Sequence, residues 1–326
     1  MIEAYDLHKI FGTFHAVRGL NLHVDSGEVV ALLGANGAGK TTTVRMLSAI
    51  LKPSSGSARI SGHDVETEPE AVRRKVGLLT EFPGLYTRMR PIEYLQFFGA
   101  LQSMTAIEST RRGELLLKQF GLWDAREKRL DSYSKGMKQK VSLIRALLHD
   151  PPVLYLDEPT TAMDPHSART VRDAMLELRA ARRTILLTTH NLMEAEDLAD
   201  RIVIIRSGHV LAEGTFAQLS QRFMGAPQWD VQLSQPHPAA SAIIADLAAI
   251  DDASDTRVRF RCADAAERNP VLLARLASAG VQVMALTEVP RSLEAVYLQI
   301  ITGSEVDRGE WSAPEIATTA DVAAIA

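Results

Sequence analysis

The chain has 326 residues, 46% hydrophobic and 23% charged, with 36 Lys plus Arg against 40 Asp plus Glu and a formal net charge of −4. This balance excludes wholesale disorder and collagen-like repeats, and with no run near the ~20 consecutive apolar residues of a spanning helix it excludes a free-standing polytopic membrane protein. The mildly acidic charge argues against a general nucleic-acid binder, and the single cysteine, Cys262, excludes an internal disulfide or a thiolate metal site.

Met1 to Asp25 carries scattered charges without an apolar core, so no secretion signal is expected; together with the lone cysteine this fits a cytoplasmic, reducing setting. The length accommodates one large domain and a smaller one. Residues 1–220 alternate short apolar runs with amphipathic stretches, the pattern of an α/β core. Leu20, Leu22 and Val24 alternate with polar residues and read as a half-exposed strand. Val29–Leu33, Val76–Leu79, Val153–Leu156, Ile185–Leu187 and Ile202–Ile205 are unbroken apolar runs, as strands buried on both faces require. Between about 84 and 150 the pattern turns helical, with Pro91 at a first helical position, and this block reads as a helical insertion. Ser207-Gly208 predicts a hairpin turn. After a linker around Gly225-Ala226-Pro227, residues 226–303 predict a small α+β domain. Its order is a strand Trp229–Leu233, a helix near 239–249, a strand Arg257–Arg261, a helix near 270–279 and a strand Val281–Leu286. Residues 304–326 are polar and alanine-rich and read as a flexible tail.

Three motifs carry chemistry. Directly after the Val29–Leu33 strand stand Gly34, Ala35, Asn36, Gly37, Ala38, Gly39, Lys40, Thr41 and Thr42, matching G-x-x-x-x-G-K-[ST]. The glycines let successive N–H groups turn toward phosphate oxygens. Lys40 adds a point charge, Thr41 offers a hydroxyl to Mg²⁺, and the following helix aims its positive end at the same anion. Nucleotide binding follows. Second, the strand Val153–Leu156 ends in Asp157-Glu158-Pro159. Adjacent carboxylates at a sheet's C-terminal edge face ligand, so Asp157 is a candidate for Mg²⁺ and Glu158 for the base that polarises water. Another strand, Thr184–Thr189, ends in His190 at the same edge, where it can reach a γ-phosphate or the attacking water. Third, Ser134 caps a helix whose apolar residues Met137, Val141, Ile144 and Leu148 recur at helical spacing before Pro151-Pro152.

The segment Tyr133-Ser134-Lys135-Gly136-Met137, placed shortly before the Asp157 strand, resembles the signature of ATP-binding cassette (ABC) proteins, usually Leu-Ser-Gly-Gly-Gln. It keeps the serine and second glycine, departs at Lys135 and Met137 in a manner found among ABC-2 exporters, and the resemblance spans about residues 2–220. It implies the P-loop NTPase fold of an ABC nucleotide-binding domain, with ATP and Mg²⁺ as cofactors. It also implies that Phe11 stacks on adenine, that Val17 lines that pocket, and that Glu81 stands where the family usually has a Mg²⁺-sensing glutamine. Asp164, in Thr161-Ala162-Met163-Asp164, corresponds to the acid of a loop crossing a dimer interface, and His190 to the switch histidine. The implied mechanism is a head-to-tail homodimer. Each ATP lies on the phosphate loop of one copy and is capped by Ser134, Lys135, Gly136 and Met137 of the other.

Lacking a membrane span, the chain would require a separate membrane permease of ABC-2 type and would lie peripherally on the inner face of the cell membrane. Phe82 to Arg90 would help form the groove for that partner. Residues 290–297 resemble accessory domains of the multidrug, sodium or cofactor export group. The alternatives are a soluble ABC ATPase outside transport and a nucleotide-dependent regulator. The first generally carries two cassettes or a coiled-coil insertion, and the second would be expected to lose Glu158. An Asn-Lys-x-Asp motif for guanine is not present.

Overall fold

The computed structural model describes residues 1–80, 84–161 and 163–306 of the chain, which divides into two compact units, Met1–Ala226 and Pro227–Ala326. The first opens with an antiparallel hairpin, β1 (Ile2–Phe11) and β2 (Phe14–Val24), closed by a turn in which Gly12 takes φ +58°. β3 (Val29–Leu33) and α1 (Lys40–Leu47) follow. β4 (Ser55–Ile60) and β5 (His63–Asp64) then extend the hairpin into a sheet ordered β2-β1-β4-β5.

α2 (Pro69–Lys75) leads into β6 (Val76–Leu79), and a helical block intervenes: α3 (Pro91–Leu101), α4 (Ala106–Gln119) and α5 (Lys135–Leu147). Pro91 does open α3. α4 starts on a reciprocal cap, Glu108 N–H donating to Thr105 Oγ1 at 3.2 Å and Thr105 N–H to Glu108 Oε2 at 2.8 Å. The chain then runs through β7 (Val153–Asp157), α6 (Pro165–Ala180), β8 (Thr184–Thr189), α7 (Leu192–Leu198), β9 (Arg201–Arg206), β10 (His209–Gly214) and α8 (Phe216–Met224). The central sheet is ordered β10-β9-β3-β8-β7-β6, parallel except for β10, which returns from β9 as the predicted hairpin.

The unbroken apolar runs have a direct cause. Successive strand residues point to opposite faces, and both faces here are covered. Tyr155 of β7 packs with Val30, Leu32, Val44 and Leu186 on one side, while Leu154 and Leu156 join Leu117, Ile144 and Leu187 on the other. All these side chains are almost wholly buried.

The second unit contains β11 (Gln228–Leu233), α9 (Ala240–Ala245), β12 (Ala249–Ala253), β13 (Arg257–Arg261), α10 (Ala265–Ser278), β14 (Val283–Glu288) and α11 (Leu293–Val306), with its sheet ordered β12-β13-β11-β14. Three expectations are corrected here. The helix expected near 239–249 ends at Ala245, and Ala249–Ala253 forms an edge strand, its Asp251 held by Arg261 at 2.9 Å and by Gln228 at 2.7 Å. The helix expected from 270 begins at Ala265, so Pro270 lies inside it, in the second turn, where it gives up the N–H bond to the Ala266 carbonyl. A final helix runs from Leu293 to Val306, past Gly303 where the tail was expected to begin; residues 307–326 lie outside the described residues.

Candidate active site

The residues of the first two motifs meet at the carboxyl ends of β3, β8 and β7. Their cavity of about 390 Å³ is lined by the backbone and side chains of Ala35–Thr42 with Phe14, Ala16, Glu158, Thr161 and His190. The loop before α1 requires glycine at two positions. A Cβ on Gly34 would stand 2.3 Å from the Ile205 carbonyl oxygen, and Gly39 takes φ +110° with a Cβ position 2.6 Å from the Ala16 carbonyl oxygen. Lys40, buried, donates from Nζ to the Gly34 carbonyl at 2.7 Å and stands 3.4 Å from Glu158 Oε1.

Asp157 is 2% exposed and accepts from Thr41 Oγ1 at 2.9 Å and from Thr188 Oγ1. Carboxylate and hydroxyl oxygens suit a hard cation. Among the described residues no group of three His, Cys, Asp or Glu gathers as a self-sufficient metal cage. The pair of one carboxylate and one hydroxyl oxygen, Asp157 and Thr41, fits Mg²⁺, which binds few protein oxygens and completes its octahedron with water and phosphate. Glu81 lies outside the described residues.

Glu158 follows the strand with φ +51°, a left-handed conformation that costs an L-residue roughly 1–2 kcal/mol. Its N–H donates to the Thr188 carbonyl at 2.9 Å, which fixes the turn. The two carboxylate oxygens differ. Oε2 meets His190 Nδ1 at 2.8 Å and accepts from Thr161 Oγ1 at 3.0 Å, whereas buried Oε1 has Lys40 nearby but no hydrogen-bond partner. A buried acceptor left open in this way is either a defect or a working atom.

A second cluster gathers at the N-termini of α5 and α6. Ser134 caps α5, accepting from Met137 N–H at 3.2 Å, and Asp164 caps α6, accepting from Ser167 N–H at 3.0 Å; that bond holds the Asp164 carboxyl below its ordinary pKa. Gly136 is buried, and a Cβ there would meet Ser167 Oγ at 2.6 Å and come within 3.5 Å of Asp164 Oδ2. Lys135 is exposed and Met137 half-buried. None of these residues lines the phosphate-loop cavity of the same chain.

Two residues expected at the adenine stand outside the lining of the phosphate-loop cavity. Val17 is fully buried beneath Gly39, and its neighbour Ala16 lines the cavity instead. Phe11 is 48% exposed with Lys9 Nζ 5.2 Å from its ring centre, and Phe14, opposite it across the hairpin, is the aromatic that lines the cavity. Thr188, which grips Asp157, was not foreseen, although a polar pair, Thr188-Thr189, closing an apolar strand was a usable signal. Of the segment 82–90, Phe82 and Pro83 lie outside the described residues, and Tyr86 is half-exposed with its ring stacked on Phe98 at 6.0 Å.

A family model described as ABC transporter matches residues 17–161. The daunorubicin/doxorubicin resistance ATP-binding protein DrrA of Streptomyces peucetius is 36% identical over 318 residues, covering 96% of each chain. The chain belongs to the ABC transporter family. Within it the similarity is to ATP-binding subunits. The Nod factor export ATP-binding protein I of Rhizobium meliloti (strain 1021) is 32% identical over 94% of this chain and 89% of its own. A solved ATP-binding subunit of an ABC transporter superposes with a TM-score of 0.64 at 34% identity, covering 69% of this chain and 94% of that one. The cassette therefore binds and hydrolyses ATP. ABC ATP-binding subunits dimerise and act with membrane permease partners, and among the described residues no helix is long and apolar enough to cross a membrane.

Proposed function

We propose that this cassette powers export through a separate ABC-2 type permease, sitting peripherally on the cytoplasmic face of the membrane, with two copies closing head to tail around two ATP molecules. Relatives named for drug resistance and Nod factor export support the direction. The observation that carries the chemistry is the asymmetry of Glu158. With Oε2 engaged by His190 and Thr161, Oε1 is the buried oxygen without a hydrogen-bond partner, ion-paired to Lys40 Nζ at 3.4 Å, and would take a proton from water attacking the γ-phosphate once Lys40 turns to the phosphates. The contact also sets the histidine's tautomer, because Nδ1 must carry the proton to donate to a carboxylate.

Lys40 and the N–H groups of the loop bind the outer phosphates. Thr41 and Asp157 would hold Mg²⁺, which when bound neutralises charge on the phosphate oxygens. Ser134, Lys135, Gly136 and Met137 stand apart from their own cavity, as expected of residues that serve a second copy, with Asp164 beside them at the same surface. A helix N-terminus favours triphosphate over diphosphate, so closure would follow ATP and opening would follow hydrolysis.

The experiment is Glu158→Gln. It should retain binding of a fluorescent ATP analogue, lower turnover by about 10²-fold or more, and accumulate an ATP-dependent dimer in light scattering. Unchanged steady-state hydrolysis refutes Glu158 as base. Co-purification from membranes, with mass-spectrometric identification of a permease, tests the transport reading.

A further inference from the structure

The carboxylate of Glu194, in the first turn of α7, is 1% exposed. Its oxygens are divided between two segments: Oε1 accepts from Thr160 Oγ1 at 2.9 Å and Oε2 from Thr189 Oγ1 at 2.7 Å. Each donor adjoins a residue that touches the reaction. Thr160 precedes Thr161, whose hydroxyl holds Glu158, and Thr189 precedes His190. Capping does not explain Glu194. Asn191 already caps α7, its Oδ1 accepting from Met193 N–H at 3.1 Å and Glu194 N–H at 3.3 Å. Nor is burial itself favourable, since desolvation pushes the carboxyl above its ordinary pKa and the nearby Glu158 adds to that, against the two threonine hydroxyls and Arg172 of α6. A costly buried acid that bridges two catalytic segments is best explained by what it joins.

We propose that Glu194 is a positioning residue for hydrolysis, one carboxylate that ties the loop after Glu158 to the end of β8 and so holds the Glu158–His190 contact in register. This rests on the reading of Glu158 and His190 given above.

The test uses the full-length chain, with steady-state hydrolysis and binding of a fluorescent ATP analogue measured side by side. Glu194→Ala should lower kcat by about 10- to 100-fold, as loss of positioning does, and leave the analogue's Kd within about threefold. Glu194→Gln should recover kcat to within about threefold, because its amide oxygen accepts from one threonine while its NH₂ donates to the other. Thr160→Val and Thr189→Val should each lower kcat, and adding Thr160→Val to Glu194→Ala should cost little more, the non-additivity of a shared network, whereas Thr189→Val also removes the acceptor of the Asn191 N–H at 3.0 Å. Unchanged kcat in Glu194→Ala overturns the proposal. So does a parallel fall of kcat and binding, or a Gln variant as impaired as the Ala one. If Glu194→Ala does not fold, the two valine variants decide, and normal turnover in both overturns it. A wild-type chain that bound ATP without hydrolysing it would sink the reading of the site instead.

Discussion

Tyr155 offers a test of the fold that leaves the chemistry alone. It sits mid-strand in β7, fully buried, between Leu78 of β6 and Leu186 of β8, and its hydroxyl has no hydrogen-bond partner. Burial pushes that hydroxyl's pKa well above its ordinary value, so it stays neutral. An unpartnered buried hydroxyl costs about 1–3 kcal/mol in proteins. Tyr155→Phe removes it at the price of one oxygen's dispersion contacts, about 0.1–0.2 kcal/mol per contacting atom and a few tenths to about 1 kcal/mol in all. The net expectation is stabilisation by about 1 kcal/mol. For a unit of this size that raises the thermal midpoint by about 2–4 °C, read by calorimetry or near-UV circular dichroism, with ATP turnover within about twofold of wild type. Destabilisation by more than about 0.5 kcal/mol would refute the reasoning, since it would mean the hydroxyl is satisfied.

Lys40→Ala should weaken binding of a fluorescent ATP analogue by at least about tenfold, the loss of a charge-assisted phosphate contact, whereas Glu158→Gln should not. Phe14→Ala should raise KM for ATP more than Phe11→Ala does, because Phe14 lines the cavity; the reverse order would make Phe11 the base-stacking ring. In the second unit, Arg259 and Arg257 hold the Asp230 carboxyl at about 2. A depressed folded-state pKa contributes stability above the unfolded value near 4, and that contribution is lost as pH falls through about 2. Asp230→Asn should therefore lower the urea midpoint of this unit at pH 7 and have a vanishing effect as pH approaches 2.

What was legible from the amino-acid order was whatever is local along the chain. The phosphate loop, the acids ending β7 and the histidine ending β8 each announce themselves by a strand that stops in chemistry. The lining of the phosphate-loop cavity shows what is not local. The β1–β2 pairing shifts register, with Lys9 opposite Val17 and Ile10 opposite His15, which leaves Ala16 without a partner. Such a bulge reverses which alternate side chains face the cavity beyond it, so Ala16 and Phe14 line the phosphate-loop cavity while Val17 is buried and Phe11 lies outside that lining. In the second unit the error was of another kind: alanine-rich sequence suits a helix, but pairing with β13 and the Arg261–Asp251 contact make Ala249–Ala253 an edge strand.

The site's assembly depends on strand order more than on any motif. β8, late in the chain, lies between β3 and β7, with Leu33 opposite Thr189 and Thr188 opposite Asp157. This register puts a threonine pair at the level where the phosphate loop begins and the carboxylates end. Thr188 then reaches Asp157, Thr189 reaches Glu194, and the next residue, His190, has nowhere to go but the side of Glu158. A slip of one residue in β8 would turn both threonines to the opposite faces and separate histidine from acid, while leaving every sequence motif intact. The parallel pairing of three strands, fixed by the two apolar cores that grip their alternate side chains, is therefore what brings the phosphate loop, the acids of β7 and the histidine of β8 into one hydrolytic centre.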